Sequence, residues 1–222
     1  TANTWAEINY EKVTSITMRK QNKAFRNVKA NRQEERFDSY DRRAAAENFD
    51  AFLSKAKNGE TTVKGKRVSI IDFVRDALSC NDEGDKQVLN LQWRDNSTQT
   101  GALPNMIPMI DTSGSMTCDN SVPLHSAIGL GIRIAEKSKL NNRAMTFSSS
   151  PEWIKYDNCK EFTDKVKLTS QLDNWGFNTN FTAALKLILS AIETARLPSS
   201  EVSDMVLVVL SDMQIDSNRN EK

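Results

Sequence analysis

The sequence predicts an α/β protein: an open, mostly parallel sheet with helices on both faces, preceded by an α-helical region. Three observations carry this. From residue 106 onward, short apolar runs alternate with helical segments, the strand–helix–strand rhythm of such sheets. The last run, Met205-Val206-Leu207-Val208-Val209-Leu210, is apolar without a break, as expected of a parallel strand covered on both faces. Residues 1 to about 94, by contrast, are polar, charged and poor in β-branched runs, which reads as helical.

In chain order, Ala44 to Lys57 has helix formers with Phe49, Phe52 and Leu53 as its apolar positions, and Gly59 stands where a left-handed C-terminal residue belongs. Ser69 is placed to cap a helix beginning Ile70-Ile71-Asp72-Phe73-Val74. Gln87 to Trp93 reads as a further helix. The stretch DNSTQTGALPN, Asp95 to Asn105, has the composition of a linker. The division is therefore a helical region at 1–94, a linker at 95–105 and an α/β domain at 106–222.

Met106 to Ile110 is the first strand, with Pro108 inside it as an awkward residue, because a proline lacks the N–H that a central strand uses. Ser121-Val122-Pro123 opens a helix running to about Lys139, apolar on most sides and so largely buried. Ala144 to Ser148 is a strand, and Trp153 to Tyr156 a weaker edge strand. Phe181 to Ala195 is a helix with Leu185, Ile188, Leu189 and Ile192 at inward spacing.

The bulk numbers exclude several classes. A hydrophobic content of 38% and a charged content of 27% suit a globular chain with a modest core, and a net charge of +1 gives no global electrostatic bias. No apolar run is long enough to span a membrane, no signal peptide is visible, and the chain opens on Thr1. Cys80, Cys118 and Cys159 are widely spaced, form no metal signature and point to a reducing, cytoplasmic setting. His125, the single histidine, argues against histidine-based chemistry.

The stretch PMIDTSGSMT, Pro108 to Thr117, carries the chemistry. In open α/β sheets ligands sit beyond the carboxyl ends of the strands. Asp111 stands at that end of the first strand, Ser211-Asp212 at that end of the last, and WGFNTNF, Trp175 to Phe181, just before a helix. The predicted sheet thus gathers Asp111, Ser113, Ser115, Thr179 and Asp212. An aspartic-protease loop would need an all-β context, and a serine nucleophile would need a base. A hard divalent cation needs only oxygens, and Gly114 permits the bend that turns Ser113 and Ser115 to one side.

DTSGSM, NTNF and LSD, in this order and on these elements, resemble the von Willebrand factor A (vWA) domain with its metal-ion-dependent adhesion site. The resemblance covers about residues 105 to 216. It implies a Rossmann-like sheet and Mg²⁺ or Mn²⁺ as the cofactor. Ser113, Ser115 and Thr179 would be ligands, and Asp111 and Asp212 would hold the metal directly or through water. TWAEINYEKVTS, Thr4 to Ser15, with WGFNTNF and LSDMQID, is further similar to a vWA family of plants and giant viruses, distantly like Ro ribonucleoproteins. Met213 departs from the glycine that many vWA domains place after the last aspartate. A complete vWA sheet has further elements, so the resemblance implies a C-terminally incomplete domain.

One more feature lies in the N-terminal half. Arg19, Lys20, Lys23, Arg26, Lys29 and Arg32 form a basic stripe with no acidic residue between Lys12 and Glu34. On a helix it would wind slowly around the axis, with Phe25 and Phe37 as core anchors of the same helix, and it reads as a solvated face or as a phosphate-backbone contact. The expected function is a non-enzymatic, cation-dependent interaction module whose metal is completed by an acidic residue of a protein partner, in the cytoplasm or, for a viral chain, the host cytoplasm or virion. Two alternatives stand beside it: an RNA-binding component of the Ro type, and a structural subunit of a viral or cellular particle.

Overall fold

The structure, a computed structural model, describes residues 4–29, 34–139, 142–171, 180–196 and 198–212. The chain divides into two units, Thr1–Gln99 and Thr100–Lys222.

In the first unit, two 3₁₀ turns, Trp5–Glu7 and Tyr10–Lys12, precede α1 (Ser15–Phe25), α2 (Tyr40–Lys57), α3 (Ile70–Ser79) and α4 (Glu83–Ser97). Each helix start has a local cause. Thr14, Ser39, Ser69 and Asp82 accept a backbone N–H from the first turns of α1, α2, α3 and α4. The end of α2 follows the sequence expectation: Gly59 adopts φ +84°, and Gly59 and Glu60 donate back to Ala56 and Lys55. The core gathers Tyr10, Met18, Phe25, Phe49, Phe52, Leu53 and Val88.

Three expectations need correction here. The basic stripe does not lie on one helix. α1 stops at Phe25 because Asn27 turns left-handed at φ +54° and Val28 donates back to Lys23, so Lys29 falls beyond the helix. Phe25 is buried in the core, but Phe37 is half exposed, with the Arg42 guanidinium 5.1 Å from its ring centre. The expected linker begins too early, since α4 continues through Ser97 and buries Asp95 and Asn96. Their polar side chains, which composition reads as loop signals, fasten the 65–68 backbone instead: Asp95 accepts from Gly65 N at 2.7 Å, and Asn96 donates to Gly65 O and Val68 O at 3.1 Å each.

The second unit holds β1 (Met106–Asp111), a 3₁₀ turn at Gly114–Thr117, α5 (Cys118–Lys137), β2 (Arg143–Phe147), β3 (Trp153–Lys155), α6 (Phe162–Ser170), α7 (Phe181–Ala195), α8 (Ser199–Ser203) and β4 (Val206–Leu210). The strand order is β3-β2-β1-β4, with β1 parallel to both β2 and β4 and β3 antiparallel on the edge. Ile107 and Met109 pack with Ala184 and Ile188 of α7. Ile110, on the opposite face of the pleat, meets α5 at Gly131, where an added Cβ would lie 2.5 Å from its Cδ1. Helices thus cover both faces, an arrangement compatible with a Rossmann-like sheet.

Pro108 is tolerated for a directional reason. Thr112 donates to Phe147 of β2, so the even-numbered amides of β1 face β2, whereas Asn105 O accepts from Val206 on the β4 side. Pro108 therefore faces β2, where pairing begins only at Met109↔Met145. Its missing N–H falls at the start of that ladder rather than within it.

α5 begins at Cys118, before the expected opening at Ser121, which does not cap it. Asp119, Asn120 and Ser121 are left-handed, with φ of 49°, 53° and 59°, and the right-handed helix follows them with Pro123 in its first turn. α5 closes at Lys137, two residues short of the expected end, with Leu130 exposed. On α7, Leu185 and Leu189 are exposed rather than inward; Ala184 and Ile188 are the buried positions. β4 is only partly buried, and Val206 is 48% exposed, because β4 pairs on one side only among the described residues.

Among the described residues no helix is long and apolar enough to cross a membrane. Cys80, Cys118 and Cys159 are all free.

Candidate functional site

The carboxyl ends of β1, β2 and β4 lie side by side, so the residues just beyond them meet at one sheet edge. Asp111 closes β1 and is fully buried. One of its oxygens, Oδ1, accepts Ser113 N–H at 2.8 Å, which folds the DTSGS loop back over the strand end. The other, Oδ2, accepts the Ser211 hydroxyl at 2.5 Å across the β1–β4 pair. The register explains this second bond. Ile110 pairs with Leu210, so the next rung sets Asp111 opposite Ser211.

The loop presents two further oxygens. Ser113 is buried and Ser115 half-buried, and their hydroxyls hydrogen-bond to each other at 3.1 Å. Thr117 Oγ1 closes the turn by donating to Gly114 O at 2.7 Å. Thr112 donates to Phe147 at the end of β2, and Asn180 donates to Ser148 O at 3.0 Å. Asn180 also caps α7 through Ala183 N at 2.9 Å, so the start of α7 lies at the β2 end of the same edge.

Four of the five expected site residues therefore belong to this edge: Asp111, Ser113, Ser115 and Asp212, which follows β4 and is half-buried. Thr179 lies outside the described residues. Sequence reading placed Ser211 at this strand end but did not count it among the site residues. Its neighbour Asp212 drew attention as the carboxylate, whereas the bond from Ser211 to Asp111 depends on a strand register that no local motif encodes.

Asp111 makes two hydrogen bonds and no ion pair with a described residue. A buried carboxylate is normally paired with a cationic group or a metal, since an uncompensated buried ion costs several kcal/mol. Each of its oxygens accepts one hydrogen bond and keeps a second lone-pair direction. Among the described residues no group of three or more His, Cys, Asp or Glu side chains is arranged to hold a metal. The donor set at this edge is instead hydroxyl-rich, with Asp111 and Asp212 as its carboxylates.

The basic stripe is largely engaged in ion pairs. Arg19 meets Asp76 at 2.5 Å and Asp72 at 3.1 Å, and the Asp76 hydrogen bond pushes its guanidinium pKa up. Arg26 meets Asp82 at 2.8 Å and also Asp85, and it holds the Asp82 carboxyl below its ordinary range. Lys23 reaches Asp85 at 3.3 Å and Lys29 reaches Glu34 at 2.9 Å. Lys20 is exposed, and Arg32 lies outside the described residues.

No curated protein and no solved structure matches the chain. Residues 105–222, which contain the whole sheet and more than half of the chain, match the family described as Domain of unknown function (DUF7788), and the chain belongs to that family.

Proposed function

We propose that the second unit is a vWA-type interaction module: a metal-ion-dependent adhesion site at the carboxyl edge of the sheet that holds Mg²⁺ or Mn²⁺ and captures an acidic side chain of a protein partner, without catalysis. The observation that carries this reading is Asp111, a fully buried carboxylate with no cationic partner among the described residues, held beside two converging hydroxyls. The spacing of those hydroxyls supports it. Two adjacent ligands of an octahedral Mg²⁺ stand about 3 Å apart, and Ser113 Oγ and Ser115 Oγ are separated by 3.1 Å.

In this reading Ser113 and Ser115 bind the metal through their hydroxyls. Each Asp111 oxygen accepts one hydrogen bond and keeps one lone-pair direction, so its carboxylate would hold the metal directly or through ordered water. Few charged ligands leave the cation under-neutralised, which favours an outside carboxylate in the open position. The RNA alternative draws on the basic stripe, four of whose members are ion-paired, and no observation at the site favours the assembly-subunit reading.

The test is calorimetric titration of Mg²⁺ into metal-free protein and into Asp111→Ala, followed by an acidic peptide array read with Mg²⁺ and with chelator. Saturable Mg²⁺ heat lost in Asp111→Ala, and peptide capture only with metal, are expected. Equal heats in the two proteins would sink the reading.

A further inference from the structure

We infer that the partner segment captured at the proposed cation site carries a bulky apolar side chain beside its carboxylate, and that Phe181 with Leu185, at the start of α7, is the surface that receives it. The inference rests on the metal-site reading above and names the kind of partner that reading leaves open. α7 buries Ala184 and Ile188, whereas Phe181, Leu185 and Leu189 are 41%, 38% and 57% exposed. Spaced four apart, these three form one row along the helix. The row begins at the sheet edge, where Asn180 donates to Ser148 O at 3.0 Å. Single exposed apolar residues are ordinary, whereas a contiguous apolar row marks an interaction surface.

The pleat joins this row to the site. Ile107 and Met109 pack with Ala184 and Ile188 of α7. Residues two apart along a strand share a face, so Asp111 belongs to the α7 face of the sheet. Its partner in the register is Phe147, the last residue of β2. Phe147 is fully buried, and its ring meets the Phe181 ring edge to face, with centroids 6.1 Å apart. Neighbouring strands stand about 4.8 Å apart, so Phe181 lies one side chain beyond the strand that adjoins Asp111. An extended peptide advances about 3.3 Å per residue. A residue one or two places from a metal-bound carboxylate therefore reaches the exposed side of Phe181.

The charges along the row say what covers it. Lys186, which is exposed, is the only charged side chain from Asn180 to Ile192, and the first carboxylate of α7 is Glu193. An apolar row with a single cation beside it complements a segment that is acidic and apolar together. A second copy of α7 does not fit. No Asp or Glu lies within two residues of Phe181, Leu185 or Leu189, so a copy docked by the same row brings no carboxylate to the metal. The occupant is a partner segment in which Asp or Glu is flanked by Phe, Leu or a residue of similar bulk.

The full chain in Mg²⁺ is assayed by fluorescence anisotropy with short labelled peptides. Each carries one central Asp or Glu in a Gly/Ser background, with or without Phe or Leu at each flanking position in turn. Peptides with an apolar flank are expected to bind at least about fivefold tighter than the Gly/Ser set, from the apolar area removed from water. Chelator should abolish binding of both sets. Phe181→Ser with Leu185→Ser should erase the preference while leaving the Gly/Ser affinity and the Mg²⁺ heat at native values, and Leu185→Ser alone should already lower it. Phe181→Leu should keep most of the preference. Leu130→Ser, on α5 at the other face of the sheet, should keep all of it. The inference is overturned by equal affinities for apolar and Gly/Ser flanks, or by a preference that survives in Phe181→Ser with Leu185→Ser. Equal flank affinities with a Mg²⁺ heat that depends on Asp111 remove the Phe181 surface and leave the metal site standing; absence of that heat removes both.

Discussion

At the scale of single residues, position relative to a neighbour decides more than residue type. Ser211 is a serine beside an aspartate, yet its hydroxyl is what orients the Asp111 carboxylate, at 2.5 Å. If Asp111 supports a cation, Ser211→Ala should lower Mg²⁺ affinity about tenfold or more, the usual effect of losing an outer hydrogen bond to a metal-site carboxylate, while Ser211→Thr should restore it. Calorimetric titration of both variants checks this, and equal affinities in all three proteins would remove Ser211 from the site. Tyr10 offers a pH reading. Its hydroxyl donates to Ala45 O at 2.9 Å, and burial pushes its pKa up to about 12. The folded state therefore favours the protonated phenol. Its contribution, at most about 2–3 kcal/mol, is present below the unfolded pKa near 10 and is lost as pH rises toward 12. Urea midpoints measured from pH 9 to 12 should fall more steeply for the native chain than for Tyr10→Phe; parallel curves would contradict the assignment.

At the scale of elements, the local signals are strong wherever backbone chemistry alone sets them. Ser69 caps α3, Gly59 ends α2, and α7 spans the expected Phe181–Ala195. The failures share one cause: a polar residue can be solvated or consumed by a tertiary partner, and composition does not distinguish the two. Asp95 and Asn96 look like linker residues and are buried clamps. Arg19 and Arg26 look like a solvated stripe and are ion-paired to α3 and to the start of α4. The clamp makes Gly65 a critical position. Gly65→Ala forces a Cβ against the Gln92 carbonyl, a backbone group that cannot rotate away. It should destabilise the first unit by about 2–3 kcal/mol or more, read as a lower chemical-denaturation midpoint. An unchanged midpoint would show that the loop does not approach α4 so closely.

At the scale of the whole molecule, the chain divides into two units, and the proposed cation site belongs to the second. A ligand that binds only the folded form of one unit stabilises that unit first. On the proposed reading, Mg²⁺ should therefore slow hydrogen exchange in 106–116 and 206–212 while leaving 61–68 unchanged. Uniform protection would contradict a site confined to the second unit. The sequence by itself determined the α/β class, the helical first part, the starts of α3 and α7 and the candidates Asp111, Ser113, Ser115 and Asp212, because caps, apolar periods and strand-end motifs act over a few residues. Only the tertiary structure decided that Ser211 meets Asp111, that Pro108 faces the unpaired start of a ladder, and that most of the basic stripe is ion-paired. Those outcomes depend on strand register and on which distant side chain arrives as partner, and neither is encoded within any single segment of the chain.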